Sequence, residues 1–118
     1  MRRHDPEKFI YDALQAARLV EKFIHGKALS EYISDDLLRS AVERQLITIG
    51  EALNSLSQLA PKIADRISNY RRIVGFRNII VHGYDIVEYE TVWGIIKSHL
   101  PILHGELDIL LNEMDSPS

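Results

Sequence analysis

The 118-residue chain is predicted to be all-α, an antiparallel bundle of four to five helices. Three observations point there. Apolar residues recur at helical spacing through several long segments, no segment carries a convincing run of period-two alternation, and helix-starting and helix-stopping residues punctuate the stretches between. The length argues for one domain over 1–118, with a frayed tail at 115–118.

The first helix starts at Asp5, an N-cap residue followed by Pro6 at the first helical position. Phe9, Ala13, Ala16, Val20, Phe23 and Ile24 form its apolar stripe, and Gly26 marks its end. A short turn around Ser30 to Ile33 leads to a second long helix, from about Asp35 to Ser57, whose stripe is Leu38, Ala41, Val42, Leu46, Ile49 and Leu53. Arg44 and Glu51 lie on nearly one face of it, two turns apart. Pro61 opens a short helical piece, and a third helix runs from about Asn69 to His82, with Gly83 supplying a left-handed stop. The final helix covers roughly Val87 to Asn112, with Val92, Trp93, Ile96, Leu100, Leu103, Leu107 and Leu110 inward; Pro101 is expected to kink or divide it.

The third helix is unusual as a packing element. Ile73, Val74, Phe76, Ile79, Ile80 and Val81 surround it with apolar groups, and such a helix is buried on more than one side. A second copy of the chain is the simplest cover, so a homodimer is expected.

Composition narrows the chemistry. Hydrophobic residues make up 46% and charged residues 26%, an ordinary soluble balance. No stretch is apolar enough to span a bilayer and MRRHDPEKF lacks a signal-peptide core, which gives a cytoplasmic expectation with no membrane partner. The absence of cysteine removes disulfides, thiol nucleophiles and thiolate zinc sites. Net charge is −3, yet Lys62, Arg66, Arg71, Arg72 and Arg77 face a single acid, Asp65, within residues 62–77. Such a patch attracts phosphate even in an acidic chain; a solvated helix face is the competing reading. Arg66, Arg71 and Arg72 are the candidate RNA-binding residues.

The stretch RNIIVHGY, 77–84, sets Arg77, His82 and Tyr84 across the end of an apolar helix. Arg77 and His82, five residues apart, lie about 140° apart on a helix, so one copy does not aim both at one point; two copies meeting at a dimer axis would. A histidine with a reference pKa of about 6.5 exchanges protons near neutrality, and a helix C-terminus favours its protonated form. Arginine stays charged and forks onto phosphate oxygens. Together they suit an RNA 2′-hydroxyl attacking the adjacent phosphate without a metal. Read from residue types alone, a capping or core histidine, with Arg77 paired to Glu51 or Glu43, remains an alternative.

Arg77-Asn78-Ile79-Ile80-Val81-His82-Gly83-Tyr84 resembles the Arg-x4-His-x-Tyr motif of the HepT-like HEPN ribonucleases, the toxin halves of HEPN/MNT toxin–antitoxin pairs. AVERQLITIGEAL (41–53), YRRIVGFRNIIVHGYD (70–85) and the Val92-Trp93 and Leu100-Pro101 pairs extend the resemblance over most of the chain. It implies a HEPN-type helical homodimer of a type VII system that cleaves RNA, with tRNA the expected substrate, without metal or cofactor. Arg77 and His82 would be catalytic, with Asn78 assisting. Tyr84 would match the tyrosine to which the partner antitoxin, a minimal nucleotidyltransferase, transfers AMP; phosphate added there would occupy the RNA site and neutralise its charge.

Two other classes remain open. The chain would serve as a non-catalytic nucleotide- or substrate-binding subunit of a minimal nucleotidyltransferase, or as a structural helical dimer in which His82 caps a helix and Tyr84 packs. A metal enzyme is the weakest option, because His99 and His104 have no evident third ligand; both read as surface or groove residues, and His4 and His25 give no signal. Trp93 and Tyr89 read as core or interface, and Glu43 and Glu51 as helix surface rather than as groups that orient Arg77.

Overall fold

The computed structural model describes residues 5–82 and 89–115, with positions 76–79, 81, 82 and 115 described by backbone alone. Six helices are present among them: α1 (Pro6–Ile24), α2 (Leu29–Ser34), α3 (Asp36–Leu59), α4 (Pro61–Ala64), α5 (Tyr70–His82) and α6 (Tyr89–Asp115). The all-α expectation holds.

α1 begins as its sequence dictates, with Asp5 extended at the N-cap and Pro6 behind it, and it ends at Gly26, whose φ of +72° is the left-handed geometry a Cβ would oppose. Its buried positions are Ile10, Ala13, Leu14, Ala16, Ala17, Val20 and Ile24. They sweep an arc of about 160°, wider than one stripe, because α1 packs on both α3 and α6. Three alanines in that arc let the neighbouring backbones approach. Phe9 and Phe23, at its margins, are half-buried rather than fully enclosed.

The segment expected to be a turn is α2. The Ala28 N–H donates to Glu31 Oε1 at 3.1 Å, fixing the first turn. Six residues are too few to display a period, yet Tyr32 within them is fully buried. α3 follows at once, with the Leu38 N–H donating to Asp35 Oδ1 at 3.1 Å. α3 is the central element and touches α1, α2, α4 and α5. Leu38, Val42, Leu46, Ile49 and Leu53 are buried as expected, joined by Ala52 and Leu56, whereas Ala41 is half-buried.

α6 runs unbroken through Pro101. A proline removes one helical N–H, here the partner of the Lys97 carbonyl. Both Pro101 and Lys97 are exposed, so the freed carbonyl lies on the water side and the helix continues. Val92, Ile96, Leu100, Leu103, Leu107 and Leu110 are buried along its inner side. Arg18 pairs with Asp108 at 3.6 Å and Glu21 with His104, so a step up α1 is a step down α6: the two run antiparallel. Among the described residues, no helix is long and apolar enough to cross a membrane.

Between α4 and α5 the chain is fastened to α6. The Ser68 N–H and Oγ both donate to the Glu106 carboxylate, at 3.0 and 2.7 Å, and Arg66 donates through both terminal nitrogens to Glu113, at 2.8 and 2.7 Å. These bonds set where α5 starts.

Candidate functional site

α5 begins from Asn69, whose φ of +59° turns the chain and whose carbonyl accepts from the Arg72 and Ile73 N–H groups at 3.0 and 3.2 Å. From Tyr70 the helix continues without interruption to His82. Arg77, Asn78 and His82 therefore share one helix; their side chains, and Tyr84 altogether, lie outside the described residues.

The helix backbone still fixes which side each position occupies. Ile73 and Ile80 are half-buried against the core. Ile73 lines a groove with Leu46 and Ile49 of α3, and Ile80 lines a cleft with Ile47 of α3. The position of Arg77 is about 40° around α5 from Ile73 and about 60° from Ile80, so it sits on the side facing α3. The position of His82 is about 160° from Ile80, on the opposite side. The two positions are about 140° apart around the helix.

The α3–α5 seam changes character along its length. Beside Ile73 it is apolar: the groove there is walled by Leu46, Ile49, Ile96, Leu100 and Leu103, with Arg72 and His99 also lining it. One to two turns on, beside Ile80, α3 offers Ser40, Glu43, Arg44 and Glu51 around Ile47. Arg44 and Glu51 do share one face, as their spacing predicts. Glu43 is half-buried; burial pushes its carboxyl above the usual range, against the opposing pull of Arg39. A packing seam between helices is normally apolar, so this run of ionisable groups is the part of the seam that packing does not explain.

Next to it, α2, α3 and α6 build an aromatic corner. Tyr32 stacks against Trp93 at 5.4 Å and meets Tyr89 edge-on at 6.2 Å, and the Arg39 guanidinium lies 4.4 Å over the Tyr89 ring. Trp93 is thus half-buried packing, and Tyr89 the rim of the corner. The Tyr32 hydroxyl is buried with no hydrogen-bond partner among the described residues. Burial first, then the Glu43 carboxylate, hold its phenol above the ordinary value.

The three candidate RNA-binding arginines are placed differently from one another. Arg66 is engaged by Glu113 through both N–H pairs. Arg71 and Arg72 are exposed at the start of α5, the Arg71 Nε donating to the Tyr70 hydroxyl at 3.2 Å. That start lies about 15 Å along the helix from His82. His99 lines the apolar groove and His104 is half-buried against Glu21, in line with a groove or surface role. Among the described residues, no three His, Asp or Glu side chains gather as metal ligands do. The polar stretch of α3 escaped sequence reading as a group because Glu43 and Glu51 are ordinary helix-surface residues until α5 is laid beside them.

The family model described as "Ribonuclease HepT-like" matches residues 13–109. Among curated relatives, "Putative RNase MJ1380" of Methanocaldococcus jannaschii is 32% identical over 114 residues, covering 93% of this chain and 100% of its own. "Putative RNase MJ1216" of the same organism is 26% identical, covering 98% of this chain and 94% of its own. "Probable ribonuclease HepT" of Thermococcus cleftensis is 27% identical, covering 86% and 92%. No solved structure matches the chain.

Proposed function

The chain belongs to the HepT-like ribonuclease family, and on that premise we propose that it is the metal-independent endoribonuclease toxin of a type VII HEPN/MNT toxin–antitoxin pair. The observation that carries the reading is the Arg77-x4-His82 pair on one uninterrupted helix whose inner side is held by α3.

In this reading two copies of α5 meet, so that Arg77 of one copy and His82 of the other share a cleft. The RNA 2′-oxygen attacks the adjacent phosphorus while His82 takes its proton. The new 2′-O–P bond forms, the P–O5′ bond breaks, and the imidazolium returns a proton to the leaving 5′-oxygen. Arg77, with Asn78 assisting, bears the charge that develops on the phosphate oxygens. The products are a 2′,3′-cyclic phosphate and a 5′-hydroxyl. No step uses a metal, and DNA, lacking the attacking hydroxyl, resists. Arg71 and Arg72 hold the flanking backbone; Arg66, already engaged by Glu113, steadies the fold there instead. Transfer RNA is the substrate class we favour. Silencing would follow when a nucleotidyltransferase antitoxin moves AMP from ATP to the Tyr84 hydroxyl, releasing pyrophosphate.

The test is digestion of bulk tRNA in EDTA by the wild type and by His82→Ala, with mass spectrometry of the product ends and of Tyr84. Cleavage by the wild type alone, leaving cyclic phosphate, supports the reading. Intact RNA from wild type whose Tyr84 is unmodified replaces it with that of a non-catalytic nucleotide- or substrate-binding subunit.

A further inference from the structure

The polar stretch of the α3–α5 seam has a use that packing does not supply. Ser40, Glu43, Arg44, Ile47 and Glu51 fall at i, i+3, i+4, i+7 and i+11, one face of α3, and line an open cleft with Ile80 of α5. The position of Arg77 lies on that same α3-facing side of α5, one turn before Ile80. Arg39 and Arg66 are engaged by Asp36 and Glu113, but no carboxylate pairs with Arg44 among the described residues. An exposed guanidinium beside two carboxylates and a hydroxyl over an isoleucine floor is a mixed site. Arg44 supplies its exposed cation and Glu43 its half-buried carboxylate.

It is well matched to a ribonucleotide, which offers a phosphate acceptor and hydroxyl donors together. We propose that this face of α3 is the substrate-recognition wall of the site: Arg44 binds a backbone phosphate of RNA and Glu43 accepts a hydrogen bond from a ribose 2′-hydroxyl. The proposal rests on the ribonuclease reading for its substrate class but assigns residues outside the Arg77–His82 motif. It makes RNA-over-DNA selection a binding property as well as a consequence of the chemistry. Arg44 is exposed and its truncation leaves the buried core untouched.

The test separates binding from cutting. In a His82→Ala background, the affinity for a short single-stranded RNA, and for the DNA of the same sequence, is measured across salt concentrations for Arg44→Ala, Arg44→Lys and Glu43→Ala. Arg44→Ala is expected to weaken RNA binding about tenfold and to lower the salt slope by about 0.7, the loss of one phosphate contact on a single strand. Arg44→Lys retains the slope while recovering only part of the affinity. Glu43→Ala is expected to reduce the RNA-to-DNA affinity ratio about fivefold or more with the slope unchanged.

Unchanged affinity and slope in Arg44→Ala, or an unchanged RNA-to-DNA ratio in Glu43→Ala, overturns the proposal. If that happens while the wild type still cuts RNA, the ribonuclease reading survives without this wall. If the wild type never cuts but the Arg44 and Glu43 effects on binding appear, the wall stands and the catalytic reading falls. Absence of RNA binding by every variant, together with no cleavage by the wild type, ends both.

Discussion

Replacing Tyr32 with phenylalanine should stabilise the fold. The hydroxyl is fully enclosed and unpartnered among the described residues, so folding strips it of water without returning a hydrogen bond. An unsatisfied buried polar group costs about 1–3 kcal/mol. Removing one oxygen forfeits a few dispersion contacts, at about 0.1–0.2 kcal/mol each, which offsets part of that gain. The ring remains, so its packing on Trp93 and Tyr89 is preserved. The net expectation for Tyr32→Phe is about 1 kcal/mol of added stability. With an unfolding entropy of about 0.25 kcal/mol/K for a chain of this length, that raises Tm by about 4 °C. Thermal melts followed by circular dichroism and a urea titration read both quantities, with an unchanged m-value showing that the unfolded state is unaffected. A loss of about 1 kcal/mol or more would refute the reasoning, since it would mean that the hydroxyl makes a hydrogen bond worth more than its desolvation.

Other expectations are equally direct. Glu43 is an acid whose folded pKa is raised by burial, so its charged form is disfavoured in the native state. Between the unfolded and folded values the native state binds more protons than the unfolded chain, so the penalty, full above the folded value, fades as pH falls through it. Glu43→Gln should therefore raise Tm near neutral pH, with the gap from wild type closing toward about pH 4, as melts across that range would record. Gly26→Ala meets no atom within 4 Å but must hold φ at +72°, so it should cost about 1–2 kcal/mol in urea denaturation, with Gly26→Asn costing less. Arg66→Ala should leave the salt dependence of RNA binding almost unchanged, because both its N–H pairs are held by Glu113, whereas Arg72→Ala lowers the slope by about 0.7.

The long helices were legible because each buries a stripe wide enough to write its period into the sequence. α1, α3 and α6 are cases in point, and their predicted inward residues are mostly the buried ones. α2 was not legible: LSEYIS has no room for a period, and what makes it a helix is Tyr32 reaching the core beside Trp93. Pro101 misleads when read locally, since the cost of a proline depends on whether the freed carbonyl meets water, which only the packing decides. That Arg77, Asn78 and His82 share one helix was readable from its expected span, and their separation around it follows from their spacing. The role of Arg66 was not, because its partner Glu113 lies 47 residues away. The same holds for the α3 face, whose meaning comes from α5 alongside it rather than from its own sequence.

The antiparallel pairing of α1 with α6 has a practical consequence for handling the molecule. Stepping outward from Arg18–Asp108 and Glu21–His104 leads down α1 toward residue 5 and up α6 toward residue 115. Residues 5 and 115 therefore lie at one pole. Tyr89, which meets Tyr32 and Arg39, begins α6 at the other pole, about 40 Å away along a 27-residue helix, and the α5 end carrying His82 lies toward that pole. A fluorophore at residue 5 or residue 115 sits at the pole remote from the α5 end. Labels at those two positions report on one end of the bundle while leaving the other untouched.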